Sequence, residues 1–262
     1  MRLRPAPLLV LLLAALTARA GEPTPLRVLF VGNSLTYVND LPAVLARIGE
    51  AQPVPMRIET RTFVAPGGTL AQHWADGLAR AALEGGHWDA LVLQERGAVP
   101  ACVADIATRN GRECRDLIAA HREFARAASG HADRVLLLET WHPNEAAQPH
   151  VDAGTRELAR RTGARVVHCG DALVDLAGHG RRAVFPDGLH PSPAATVVMA
   201  AQLVRALTDA PPVRLPASLP GRTFDRPSPA LPLEDQRALE GPAIALEPRE
   251  AAALLALARR YR

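Results

Sequence analysis

Residues 29–36 read LFVGNSLT. The apolar start of this stretch has the character of a buried strand, and it breaks at Gly32, Asn33 and Ser34, a small residue followed by two polar ones. In an open parallel sheet, ligands bind beyond the carboxyl ends of the strands. A hydroxyl placed there is a candidate for chemistry if the rest of the chain builds such a sheet.

The flanking sequence predicts one. Short apolar runs at 26–31, 56–63, 90–94, 135–140 and 165–168 alternate with amphipathic stretches at 41–51, 70–83, 114–128 and 151–161, and a further helix is expected over 193–207. This alternation argues for an α/β fold, a central parallel sheet of about five strands with helices on both faces. Three regions are expected: a leader over 1–20, a catalytic-size body over 21–210, and an extension over 211–262. The extension opens with the proline-rich segment 211–232 and closes on EPREAAALLALARRYR. That closing segment is a good helix former, with Glu247 and Glu250 early and Arg259, Arg260 and Arg262 late, and its apolar positions are expected to dock on the body.

The first twenty residues carry Arg2 and Arg4, an apolar run over 8–16, and Ala18 and Ala20 ahead of Gly21. That order is the one a secretory signal has, and the run is short for a membrane span, so export to a periplasmic or extracellular space is expected. No later stretch is long and apolar enough to cross a membrane. Cleavage would remove three of the 30 basic residues and no acid, leaving 27 basic residues against 27 acidic ones. A near-neutral mature chain gives no reason to expect nucleic acid as a partner. All of the basic residues are Arg, which excludes a Schiff-base lysine and the Lys-bearing phosphate loop. The cysteines are Cys102, Cys114 and Cys169, and in an oxidising compartment the first two are spaced to close a loop. The C-x-x-C spacing of zinc and redox sites is absent.

A serine hydroxyl needs a base, and the base usually needs an orienting carboxylate. The segment FPDGLHPS, residues 185–192, offers both: Asp187 and His190 are three apart beside Gly188 and Pro191, just ahead of the last helix of the body. One turn presents both side chains to the same side, leaving one imidazole nitrogen for Ser34. Asn33 adjoins Ser34, and Trp141 and His142 follow the fourth strand at the same sheet edge; these three are expected to line a substrate pocket. His73, in TLAQHW, either supports the turn before it or faces solvent. A metal site assembled from His142, His150, His168 and Asp171 has the right residue types but no spacing that gathers them, so no metal and no cofactor are expected.

With these residues in place, the chain resembles the SGNH (GDSL-type) hydrolase superfamily. The nucleophile block of that family is matched by FVGNSLTYVND at 30–40 and its last block by DGLHPS at 187–192, and the similarity runs over residues 26–208. The resemblance implies a flavodoxin-like three-layer fold and a serine hydrolase of ester bonds, often short acyl groups on sugars or lipids. Ser34 would attack the carbonyl, His190 would act as general base and then acid, and Asp187 would orient it. It further implies an oxyanion hole made by the Ser34 N–H and by a glycine amide after the second strand, for which Gly67 and Gly68 in APGGTL both qualify. The family's third block, G-x-N-D, is replaced here by WDALVLQERG. Gln94 carries the equivalent carboxamide one methylene further out and is taken as the third oxyanion donor, with a structural Gln94–Glu95 pair as the alternative. The nucleophile elbow G-x-S-x-G of α/β-hydrolases is not present around Ser34.

These residues point to an exported esterase or deacylase acting on a small-molecule or carbohydrate ester, without a cofactor. A non-catalytic carbohydrate- or lipid-binding module on the same fold, and an acyltransferase using the same three residues, are the alternatives.

Overall fold

In the computed structural model, which describes residues 24–178 and 180–261, the apolar start of the quoted stretch belongs to the strand β1 (Leu26–Gly32). The leader expected over 1–20, and Arg262, lie outside the described residues. After β1 come α1 (Ser34–Tyr37), α2 (Leu41–Glu50), β2 (Ile58–Val64), α3 (Leu70–Asp76), α4 (Leu78–Glu84) and β3 (Ala90–Leu93). The body continues with α5 (Arg112–Ala128), β4 (Val135–Leu138), α6 (Gln148–Thr162), β5 (Arg165–Val167), α7 (Cys169–Ala177), α8 (Arg181–Val184) and α9 (Pro193–Thr208).

The five strands form one sheet in the order β2-β1-β3-β4-β5, every neighbouring pair parallel. This is the flavodoxin-like order, in which the topology switches direction between β1 and β3. Alternation along β1 explains the layers. Val28 and Phe30 pack into a cluster with α2, α7 and α9, whereas Leu29 and Val31 pack into a second cluster with α3, α4, α5 and α6. Burial on both faces is why the strands read as nearly unbroken apolar runs.

Besides the one-turn α1, the body departs from the expected elements in two places. The single helix predicted over 70–83 is two, because Gly77 sits at φ +78° and ends α3 in a left-handed cap before α4 starts. α7 and α8 were not anticipated; each is short, and α7 opens on Cys169 and Gly170, which carry no helix-start signal.

Residues 211–261 lie against the body. Two small antiparallel pairs form, β6 (Ser218–Leu219) with β9 (Ile244–Ala245) and β7 (Arg222–Thr223) with β8 (Leu239–Glu240). α10 (Pro248–Arg260) buries Leu254, Leu257 and Ala258, and Gln202 of α9 donates to the Ala258 carbonyl at 3.0 Å. The docking expected of this helix is therefore seen. The extension also covers the outer edge of β2, where Glu234 accepts the Thr62 N–H at 2.9 Å and the Thr62 hydroxyl at 2.7 Å. A bare edge N–H row would otherwise invite pairing with another chain. Arg222 reaches back to Asp40, the N-cap of α2, with Nε at 2.8 Å.

Cys102 and Cys114 form the disulfide that their spacing allows, pinning the loop after β3 to the start of α5, and Cys169 is a buried free thiol. Among the described residues no helix is long and apolar enough to cross a membrane.

Candidate active site

The strand-to-helix turn after β1 is built by a buried amide network. A Cβ at Gly32 would lie 2.6 Å from Gln94 Oε1 and 2.8 Å from Thr36 Oγ1, so only glycine lets these groups close over the strand end. Asn33 caps α1, its Oδ1 accepting the Leu35 N–H at 3.1 Å, while its Nδ2 donates to the Gly68 carbonyl at 2.9 Å. Gln94 Oε1 accepts from the Asn33 N–H and from the Thr36 hydroxyl, both at 2.9 Å. Its Nε2 donates to Asn33 Oδ1 at 3.0 Å and to the Glu95 carbonyl at 2.5 Å. Backbone N–H groups can only donate and carbonyls only accept, so both carboxamides have one possible orientation.

This network corrects two expectations. Gln94 is 1% exposed and both its amide protons are committed, so it has none to offer an oxyanion; it holds Asn33 instead. Asn33, also 1% exposed, has its Oδ1 and one amide proton committed within the fold and presents no surface to a pocket. It ties the Ser34 turn to the glycine turn.

Ser34 follows directly, half-buried, and neither its backbone N–H nor its hydroxyl is used in a hydrogen bond among the described residues. The glycine turn is Ala65-Pro66-Gly67-Gly68, closed by the Gly68 N–H on the Ala65 carbonyl at 3.0 Å with Gly67 at φ +63°. Proline at the second position and a left-handed glycine at the third are what a type II turn requires. The closing bond uses the Gly68 N–H and leaves that of Gly67 unbonded among the described residues. Between the two glycines, Gly67 is therefore the one able to donate. His73 is buried beneath this turn with Nε2 2.8 Å from the Gly32 carbonyl, so that nitrogen carries the proton. Burial lowers the His73 pKa, and the ring is a neutral prop.

Asp187 and His190 sit on the loop between α8 and α9. The turn Phe185–Gly188 closes through the Gly188 N–H at 3.0 Å, with Gly188 at φ +86°. It aims the Asp187 carboxylate back along the chain. Oδ1 accepts the N–H groups of Leu189 at 3.0 Å and His190 at 2.7 Å, and Oδ2 lies 2.6 Å from His190 Nδ1. Nδ1 is thus the protonated nitrogen and Nε2 is free to accept. Burial by itself would raise the Asp187 pKa, but the His190 ring and the two N–H donors outweigh it and bring the group down to about 2. Asp187 therefore stays ionised at any pH at which a neutral imidazole can serve as base.

Asn39 joins the two halves. Its Nδ2 donates to the Pro191 carbonyl at 2.7 Å and to Thr196 Oγ1 at 3.0 Å, tying the segment that links α1 to α2 to the end of the loop that carries His190. Sequence reasoning missed this residue, whose only local signal is a polar side chain ahead of a helix cap. Trp141 acts on the same loop from the other side. It is 1% exposed, stacks on Phe185 with ring centroids 5.3 Å apart, and donates Nε1 to the Leu189 carbonyl at 2.8 Å. The expectation that Trp141 lines a pocket is corrected: it supports the His190 loop.

His142 is only partly buried. It helps line a groove of about 740 Å³ with Ala98, Cys102, Ile106, Ala147 and His150. A second cavity of about 550 Å³ starts at Thr69, next to the glycine turn, and is walled by Gln72, Glu95, Arg96, Val99 and Leu117. Neither is lined by Ser34 or His190.

Glu95 is the unusual group here. It is 3% exposed and accepts the Arg96 N–H at 2.7 Å and the Leu70 N–H at 3.4 Å, yet desolvation outweighs these bonds and raises its pKa to about 7. A carboxyl whose folded pKa lies above its unfolded value adds stability that is complete below the unfolded pKa and lost as pH rises toward the folded one. Between about pH 4.5 and 7 this amounts to roughly 3 kcal/mol. Glu95→Gln is expected to gain stability relative to the wild type as pH rises through that window. Denaturant melts of both proteins from pH 5 to 8 check this. The opposite slope from buried His121, whose pKa desolvation lowers to about 4, cancels in the difference.

No family model matches the sequence, and no curated protein matches it. Solved structures do. A protein from Slackia heliotrinireducens assigned to the SGNH hydrolases is 22% identical, with TM-score 0.55 over 70% of this chain and 98% of that one. Axe2, an acetylxylan esterase from Geobacillus stearothermophilus, is 16% identical with TM-score 0.53 over 70% of this chain and 94% of its own. LAE5, described as an alpha/beta hydrolase enzyme from the metagenome of Lake Arreo, Spain, is 18% identical with TM-score 0.54 over 69% and 94%. The chain has the fold of the SGNH hydrolases.

Proposed function

We propose that this chain is an exported serine hydrolase that cleaves short-chain carboxylic esters, acetyl groups on carbohydrate foremost, through an acyl-enzyme on Ser34. The observation that carries the reading is the Asp187–His190 pair, its Nε2 left free, on a loop fastened by Asn39 to the segment just after α1, the helix that opens on an unbonded Ser34 hydroxyl. In the reaction Ser34 Oγ attacks the ester carbonyl as its proton passes to His190 Nε2, and Asp187 stabilises the resulting imidazolium. The oxyanion of the tetrahedral intermediate is held by the N–H groups of Ser34 and Gly67. His190 then protonates the departing alcohol, and a water deprotonated by the same nitrogen releases the acid. No step calls on a cofactor.

The likeness to Axe2 favours acetylated carbohydrate as substrate, and the mainly apolar cavities beside Thr69 and His142 carry a few polar side chains, Gln72 and His150 among them, that can meet sugar hydroxyls. Export is supported by the leader-like N-terminus and the Cys102–Cys114 disulfide. The reading is tested by hydrolysis of p-nitrophenyl esters of increasing chain length and of acetylated xylo-oligosaccharides. We expect turnover with the acetyl substrates and a decline from acetate to octanoate. Folded wild-type protein that turns over none of them would overturn it in favour of a binding module. Acyl transfer to an added sugar in preference to water would make it an acyltransferase.

A further inference from the structure

We infer that Glu139, His168 and Asp171 form a binding site for one divalent transition-metal ion of the zinc class, at the carboxyl ends of β4 and β5 and separate from the Ser34 machinery. Glu139 immediately follows β4, His168 immediately follows β5, and Asp171 lies in the first turn of α7. His168 Nδ1 is 3.8 Å from Glu139 Oε1 and 3.9 Å from Asp171 Oδ2, and the three potential ligand atoms all lie within 4.8 Å of one another.

The second observation is Glu139 itself. It is 0% exposed; Oε2 accepts the Asp171 N–H at 3.1 Å, while Oε1, the atom turned toward the His168 ring, has no hydrogen-bond partner. A buried carboxylate oxygen left unbonded is expensive, and natural structures rarely leave one without a water, an ion or a strain to explain it. Gln148 Nε2 donates to Asp152, the neighbour of Asp171, at 2.7 Å. Glu139 and Asp171 thus present two acidic side chains to one imidazole. A nitrogen ligand beside carboxylate oxygens suits zinc-class ions, whereas calcium and magnesium favour all-oxygen sets. Donors around such an ion at about 2.1 Å stand roughly 3.4 Å apart, so the two His168 distances would shorten by about half an ångström on binding.

Sequence spacing could not assemble this set. Of the four residues first weighed for a metal, His168 and Asp171 come together, while His142 accepts from the Asn144 N–H at 2.9 Å and His150 faces the groove. Glu139 was not among the four. The ion would fasten the ends of β4 and β5 to α7 two residues ahead of Trp141, the prop of the His190 loop.

The test uses the full chain stripped with chelator, then titrated calorimetrically with Zn²⁺, Mn²⁺, Ca²⁺ or Mg²⁺ alone and melted with and without each ion. We expect one Zn²⁺ per chain and a raised unfolding midpoint. Glu139→Gln, which keeps an acceptor for the Asp171 N–H, should weaken binding roughly tenfold or more. The partly exposed Asp171→Asn provides the same readout should the buried variant fail to fold. Asp187→Asn, which removes the carboxylate of the other His–Asp pair, should leave binding intact. Absence of binding to the wild type, equal binding by Glu139→Gln and Asp171→Asn, or preference for Ca²⁺ or Mg²⁺ would each overturn the assignment. None of these outcomes depends on esterase activity.

Discussion

Ser34→Ala is expected to lower kcat for acetyl-ester hydrolysis by about 10⁴-fold or more, with little change in stability. The size follows from the roles: without Oγ no acyl-enzyme forms, and the oxyanion donors and binding contacts supply only the residual acceleration. The stability expectation follows from the structure, because the half-buried hydroxyl makes no hydrogen bond among the described residues and its loss opens no sealed cavity. Substitutions of that kind usually stay within about 0.5 kcal/mol. Steady-state kinetics beside a thermal melt checks both parts. A loss below tenfold would remove Ser34 from the chemistry, and a large drop in Tm would mean that the rate change reports unfolding.

The second large effect is expected at Asn33, which never touches substrate. Asn33→Ala deletes the α1 cap, the bond to the Gly68 carbonyl, and the acceptor for Gln94 Nε2, leaving buried polar partners unbonded. An N-cap is worth about 1 kcal/mol and each orphaned buried group about as much again or more, so a loss of roughly 3 to 4 kcal/mol follows. In a chain of this length that lowers Tm by about 6 to 16 °C. Activity should fall further than stability explains, by on the order of 10²-fold in kcat at a temperature where the variant is folded. The reason is that the Gly67 donor would no longer be held in register with Ser34. Asn33→Ser separates the two effects. Serine can still cap α1 but is too short to reach Gly68, so about 1 kcal/mol should return without the rate. Recovery of both would mean that the Gly68 bond has no bearing on catalysis.

The amide network also shows where sequence reading stops. β1 and its break at Gly32 were legible because a doubly buried parallel strand writes itself as an apolar run and its exit must be small. Asp187 and His190 were legible because their contact is local, three residues apart across a glycine turn. The direction in which a strand-end side chain points is not local. Gln94 and Trp141 sit at the sheet edge where ligands bind, yet both turn inward, one to Asn33 and one to the Leu189 carbonyl. Asn39 was silent for the same reason, since its partners lie more than 150 residues away. Glu139 reads as the polar end of a strand until the fold sets His168 and Asp171 beside it.

The choice between Gly67 and Gly68 illustrates what geometry adds to a motif. In sequence the two are equivalent turn residues. In the structure the Gly68 N–H closes the turn and its carbonyl takes the Asn33 amide, so the neighbouring N–H is the one left to donate. The same accounting removes Gln94 as a candidate oxyanion donor, so the proposed hole rests on two backbone N–H groups.

The most direct measurement is covalent. Wild-type protein incubated with a fluorophosphonate, a reagent that phosphonylates activated serines, should take up one label per chain on the peptide containing Ser34, with hydrolysis lost in proportion. Labelling should vanish in Ser34→Ala and slow sharply in His190→Ala. A chain that hydrolyses acetyl esters while carrying its label on another residue, or no label at all, would contradict the assignment of Ser34 as nucleophile.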